Sequence, residues 1–299
     1  MSEHLMMPAV PTTDFGMPRI GLGTYRMQGS KCFGAVTAAL DAGYRHVDTA
    51  LAYENEAEIG RAIEASSVDR EQLFLTSKIK GYHDYLRPAK IRHETEQTLI
   101  RMGIDRLDLL LVHWWNPQSD MRATFGAMGE LVADGLVDHI GVSNFSAAEL
   151  EAAIAASPVP IATNQVEYHP YVDQTALLAC CRQHDVVLTA YSPLAEGAVV
   201  NDETLQRIGN RYEKTAAQVA LRWSLQQDGV AIIPKSATPQ YMEENLAVLD
   251  FELTKTEMRQ IAELDGPLWY QLNAEGGAIY EFRRMIGPYV PKQIRMRVP

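Results

Sequence analysis

The sequence predicts an α/β protein built as one (β/α)8 TIM barrel, on three observations. Short apolar, β-prone runs recur eight times, centred near Ile20, Val47, Leu75, Leu110, Ile140, Gln165, Leu188 and Ile232. Nearly every gap between them holds a segment with helical periodicity. Runs such as LDLLLVH and DVVLTAY are apolar throughout instead of alternating, as expected of parallel strands covered by helices outside and a packed interior within. Repeated βα units also suit an open doubly wound sheet, but eight units without a Pro-, Gly- or Ser-rich linker favour a closed barrel.

The connecting segments carry helix signals in turn. After the first run, Phe33, Val36 and Leu40 share a face and Gly43 supplies the stop; after the second, Ile59 and Ile63 do likewise. IRHETEQTLIRMG aligns Ile91, Leu99 and Met102 before Gly103. Ser146 with Glu149 and Thr254 with Glu257 form capping boxes, and Thr238-Pro239 reads as a helix cap followed by a first helical residue. One domain is expected over residues 1–299, with the barrel at about 18–265, an accessory segment before it and a tail at 266–299.

Composition narrows the function. A chain of 299 residues, 46% hydrophobic, buries a large core, and a formal charge of -11 without a basic block argues against nucleic-acid or anionic-membrane partners. The N-terminus lacks the basic start and apolar core of a secretion signal, and no apolar run approaches the ~20 residues needed to span a bilayer, so a cytoplasmic protein is expected. Cys32, Cys180 and Cys181 show neither CxxC nor Cys/His ligand spacing, and are read as buried reduced thiols with no metal site.

In a βα barrel the C-terminal ends of all strands converge on one mouth, so residues there can cooperate across long sequence distances. Asp48 ends the second run, Lys78 the third and His113 the fourth, and Tyr53 follows Asp48 in its loop. Each alone has an ordinary explanation: a helix cap, a half-buried aromatic, or a side chain emerging into solvent. Together they make a proton-donating device. A tyrosine with a pKa near ~10 donates poorly at neutral pH; a neighbouring ammonium lowers that pKa, and a carboxylate keeps the ammonium charged. His113 would donate a hydrogen bond to an oxygen on which negative charge develops.

The blocks GLGTYRM (21–27), DAGYRHVDTALAYENEAEIG (41–60), LTSK (75–78), GVSNF (141–145), NQVEYHP (164–170), AYSPL (190–194) and IPKSATP (233–239), in this order, resemble the aldo-keto reductase superfamily. The resemblance implies that Tyr53 is the general acid, assisted by Lys78 and Asp48, and that His113 orients the substrate carbonyl with Tyr25, Tyr53 and Trp114 around it. It also implies a nicotinamide cofactor lying extended across the mouth, in keeping with the lack of GxGxxG after a strand and of a P-loop. By that analogy Gly23, Thr24, Tyr25 and Asp48 border the cofactor, Ser143, Asn144 and Gln165 hold the carboxamide, and Tyr191 stacks on the ring with Ser192 and Leu194 beside it. At the adenosine end Lys235, Ser236 and Thr238 match the 2′-phosphate contacts, and Glu244 and Asn245 the adenine contacts.

Departures from the family pattern bear on specificity. Tyr241 stands where NADP-preferring members usually carry arginine, so NADPH is the expected cofactor with NADH as the alternative. Tyr25 replaces a common tryptophan, and Trp115 follows Trp114 where many members have proline; both suggest an aromatic-walled mouth. Trp269, Tyr270, Tyr280, Phe282 and Tyr289 of the tail would fold over the mouth or clamp the outer helices. The expectation is thus an NAD(P)H-dependent reductase of aldehydes and ketones acting on a small carbonyl substrate, and a monomer, as the family often is. Two rivals remain at this stage: a cofactor-binding regulatory or structural protein without turnover, and a Schiff-base barrel enzyme using Lys78.

Overall fold

The computed structural model describes residues 10–265. Eight parallel strands follow one another in chain order: β1 Leu22–Gly23, β2 His46–Asp48, β3 Phe74–Ile79, β4 Leu107–Val112, β5 Val137–Ser143, β6 Ile161–Glu167, β7 Val187–Tyr191 and β8 Val230–Ile232. The ring closes where Ile20 bridges Ile232 in parallel, with Gly21 N–H donating to Ile232 O at 2.9 Å and Ile232 N–H to Arg19 O at 2.8 Å. The first strand is therefore Leu22–Gly23, not a run centred on Ile20, which serves as the closing bridge. Helices are α1 Gly29–Asp41, α2 Glu56–Glu64, α3 Pro88–Met102, α4 Met121–Ala133, α5 Ala147–Ala156, α6 Thr175–Gln183, α7 Glu203–Gly209, α8 Ala216–Leu225, α9 Pro239–Leu246 and α10 Lys255–Ala262.

Local chemistry sets these boundaries. α1 buries Val36 and Leu40 against the strands, and the chain then reverses through Gly43 at φ +103°, a conformation natural only to glycine. Gly103 ends α3 in the same way at φ +64°. Both expected capping boxes form, Ser146/Glu149 on α5 and Thr254/Glu257 on α10, and a third, Thr215/Gln218, opens α8. Thr238 precedes α9, but its side chain does not cap it; Ser236 Oγ instead accepts from Thr238 N–H at 3.1 Å.

The larger core lies between strands and helices; the smaller fills the barrel floor with Met17, Phe74, Leu109, Leu111, Ala162 and Ala231. Met17 reaches that floor because residues 12–18 fold into a short hairpin, bridged Thr12 to Pro18 and turning at Gly16, φ +84°. Above the floor the interior turns polar. His46 Nε2 lies 3.1 Å from Thr76 Oγ1, and the hydroxyls of Thr163 and Thr189 are 2.8 Å apart. Room for the His46 ring depends on the absence of a side chain at Gly21, where a Cβ would stand 2.5 Å from it. Polarity rises toward the C-terminal ends of the strands, where the candidate site lies. The tail at 266–299, including its five aromatic residues, lies outside the described residues.

Candidate active site

Strand register brings the ionisable groups together. Asp48 ends β2 paired with Thr76, Lys78 lies opposite Leu111 near the end of β3, and His113 follows β4 directly, its N–H donating to Ile79 O at 3.0 Å. Lys78 Nζ donates to Asp48 Oδ1 at 2.5 Å and to Thr49 O at 2.7 Å. The other carboxylate oxygen, Oδ2, accepts from Gln165 Nε2 at 2.7 Å across the barrel. Asp48 thus has a donor on each oxygen. Lys78 is out of solvent and held by two acceptors, a charged strut rather than a free amine, which speaks against a Schiff-base role.

Tyr53 closes a single 3-10 turn, Leu51–Tyr53, and the chain leaves it through Glu54 at φ 56°. Its ring stands over this pair, with Lys78 Nζ 5.0 Å from the centroid. The His113 ring approaches Tyr53 edge-on at 5.8 Å and 77°, and Tyr25 flanks it at 5.1 Å. Tyr25 and Trp114 are exposed at the mouth, whereas Trp115, expected to line it, turns away to pack against Phe145 at 6.0 Å.

Sequence reasoning missed the residue that ties this turn down. Asn55 is fully buried; its Nδ2 donates to Thr24 O at 3.1 Å and Met27 O at 3.0 Å, and its Oδ1 accepts from Thr49 Oγ1 at 2.6 Å. The amide joins the β1 loop to the segment carrying Tyr53 and to Thr49, whose carbonyl receives Lys78. Asparagine before an acidic helix start reads as an ordinary N-cap, yet Asn55 makes no capping bond. Thr24, expected beside a cofactor, is buried and donates its hydroxyl to Asp48 O at 2.9 Å, so it too supports the β2 end.

The electrostatics correct one expectation. The Tyr53 phenol is not brought down toward neutrality: burial first, then the charge of Asp48 and the neighbouring Tyr25, hold it well above the usual tyrosine range. Burial lowers the Lys78 ammonium and Asp48 opposes that shift. His113 is pushed down to about 3 by burial and then by Lys78, so its imidazole is neutral at physiological pH and keeps one N–H to donate.

A belt of amides runs beside these groups. Asn144, at φ 61°, donates from Nδ2 to His113 O and to Ser143 Oγ, both at 3.0 Å, and accepts the Tyr191 hydroxyl at 2.9 Å. Ser192 follows in the left-handed region at φ 46°, and Leu194 is half-buried against the core. Further round the mouth, Lys235 feels Lys31 and Arg26: partial burial, then these two cations, lower its pKa, while Glu196 opposes. Crowded cations in an acidic protein suit an anionic ligand, and a flat carboxamide ring suits the amide belt, so the residues fit a nicotinamide dinucleotide. At the far end Tyr241 is exposed, Glu244 accepts from Gln240, and Asn245 is buried against Tyr44.

Comparison with known proteins gives the same answer. The Aldo/keto reductase family model matches residues 15–266. The 2,5-diketo-D-gluconic acid reductase B of a Corynebacterium species is 42% identical, the match covering 88% of this chain and 96% of that one. The methylglyoxal reductase DkgA of Salmonella typhimurium is 39% identical over 83% of this chain and 90% of that one. The crystal structure of an aldo/keto reductase from Brucella melitensis superposes with a TM-score of 0.81 at 37% identity, covering 87% of this chain and all 100% of that one. With its eight-stranded parallel barrel and the cluster of Asp48, Tyr53, Lys78 and His113 at the strand ends, the chain belongs to the aldo-keto reductase family.

Proposed function

We propose that this protein reduces the carbonyl of small aldehydes or ketones, with Tyr53 as proton donor and NADPH ahead of NADH as reductant. The observation that carries the reading is the buried Lys78–Asp48 pair lying under the Tyr53 ring, with a neutral His113 facing the same ring. A bound reduced nicotinamide supplies the hydride. The chain supplies the rest. The imidazole N–H of His113 donates to the substrate oxygen and fixes its position. Tyr53, its phenol kept protonated by burial and Asp48, holds a proton at its hydroxyl across the working pH range, and an alkoxide is basic enough to take it. Lys78 then stabilises the phenolate as it forms, and Asp48, with a donor on each oxygen, keeps Lys78 charged without itself moving a proton.

Ser143, Asn144, Gln165 and Tyr191 would hold the carboxamide and ring, and Lys235 with Ser236 the 2′-phosphate. The exposed rings of Tyr25 and Trp114 wall a substrate space, and the dicarbonyl and keto-acid substrates in the names of the two relatives above support small, oxygen-rich carbonyl compounds as the class. The reading takes the protein as a cytoplasmic monomer; among the described residues no helix is long and apolar enough to cross a membrane. The test is to add NADPH or NADH to purified protein, then a panel of aldehydes, dicarbonyls and keto-sugars, and to follow loss of reduced-cofactor absorbance. Oxidation dependent on a carbonyl supports the proposal; fluorescence quenching by cofactor without oxidation of it by any carbonyl would contradict it and favour a binding role.

A further inference from the structure

Away from the mouth, on the outer wall, Glu151 of α5 and Cys180 of α6 meet His184, the residue that ends α6. One carboxylate oxygen, the thiol sulfur and one imidazole nitrogen all lie within 4.8 Å of one another. Cys180 is buried, His184 partly exposed and Glu151 exposed, so the donors run from the protein interior to solvent. The Cys180 thiol faces Ala147 O at 3.9 Å, which places it in the seam between the two helices.

We propose that Glu151, Cys180 and His184 form a binding site for a thiophilic divalent transition-metal ion, of which zinc is the representative. Thiolate, imidazole and carboxylate are the donor types such an ion takes, at about 2.0–2.3 Å each, and three protein donors leave a fourth, tetrahedral position to water. Donors in such a shell are roughly 3.5 Å apart. Reaching that spacing needs rotation of the two outer side chains about their own torsions, while Cys180 stays as the anchor. Cys180 and His184 are four residues apart, one helical turn, so they sit on one face, although neither CxxC nor a familiar Cys/His ligand spacing marks them in the sequence. Hard cations such as magnesium or calcium, which prefer oxygen, are excluded by the donor set.

Burial, then the charge of Glu151, raises the pKa of the Cys180 thiol, so it is protonated at neutral pH before the ion binds. Binding forms the metal–sulfur bond, breaks the S–H bond and releases that proton to solvent, with no change in oxidation state. An ion held by both helices pins the middle of α5, at Glu151, to the end of α6. It also stabilises the folded chain by mass action.

The experiment titrates full-length protein, free of tags and chelators, with zinc against a chromophoric chelator, and repeats it for Cys180→Ser, His184→Ala and Glu151→Gln. Tight binding of one equivalent is expected, with about one proton released per ion, and at least about tenfold weaker binding in the serine and alanine variants. Cobalt should give thiolate-to-metal charge-transfer absorption in the parent and none in Cys180→Ser, a readout that does not depend on turnover. Failure to bind one equivalent, or binding equally tight in both Cys180→Ser and His184→Ala with circular dichroism unchanged, would overturn the assignment.

Discussion

Lys78 Nζ and Asp48 Oδ1 are 2.5 Å apart, and the two side chains are 0% and 2% exposed. Removing one partner leaves an unpaired charge in the barrel interior. Lys78→Met is therefore expected to destabilise the fold by about 3–5 kcal/mol, and the double variant with Asp48→Asn by clearly less than the sum of the two single changes. Urea denaturation of the four proteins checks this; strict additivity would mean that the pair is not coupled.

Asn55 acts on Tyr53 through backbone carbonyls and should therefore divide its effects in a characteristic way. Asn55→Ala removes three hydrogen bonds and takes from the Met27 carbonyl and the Thr49 hydroxyl their side-chain partner, while the Thr24 carbonyl keeps the Met27 N–H, a loss of about 1–3 kcal/mol. Because the turn carrying Tyr53 is loosened, kcat should fall more than cofactor affinity. Steady-state kinetics beside cofactor titration measure the split, and equal losses in both would assign Asn55 to general stability alone.

His113 gives the protein an acid-sensitive element. Its folded pKa of about 3 lies below the ordinary value near ~6.5, so the folded state prefers the neutral ring. That contribution is fully present above about pH 6.5 and is lost as pH falls toward 3, on the order of 3 kcal/mol once the ring's partial exposure is allowed for. His46, also lowered by burial, titrates in the same direction and retains its share. His113→Gln should flatten the dependence of stability on pH in that window by about one proton. An unchanged slope would show that the ring is solvated.

Cofactor choice should respond to charge at the adenosine end. Tyr241 is 56% exposed and brings no cation, while Lys235 brings one. Tyr241→Arg is expected to lower KM for NADPH several-fold with little change for NADH, and Lys235→Ala to raise KM for NADPH by about tenfold, in keeping with loss of one charged contact to a phosphate. Parallel shifts for both cofactors would place the 2′-phosphate elsewhere.

Much of this architecture is legible in the sequence because periodicity reports burial directly. LDLLLVH and DVVLTAY are β4 and β7 within a residue or two, and Asp48, Lys78 and His113 fall at strand ends as the runs indicate. β1 is displaced from Ile20 because two glycines, Gly21 and Gly23, interrupt its apolar signal while making room inside the barrel, Gly21 for the His46 ring and Gly23 for the Ile233 carbonyl. Asn55 was hidden because its partners are backbone carbonyls 28 and 31 residues away and a hydroxyl six residues away, which composition does not reveal. The sequence shows which charges lie near Tyr53 but not how deeply its phenol is buried, and burial, followed by the Asp48 carboxylate and Tyr25, raises its pKa. Trp115 likewise packs on Phe145 although its neighbour Trp114 is exposed, because beyond the end of β4 the chain bends and strand alternation no longer tells which way a side chain turns.

The most direct test of the account is turnover of Tyr53→Phe, which keeps the ring against His113 and Tyr25 and removes only the hydroxyl. Carbonyl reduction is expected to fall by about 10²–10⁴-fold while cofactor affinity stays within about twofold of the parent. Near-normal turnover in a variant that still binds cofactor would contradict the assignment of Tyr53 as the proton donor.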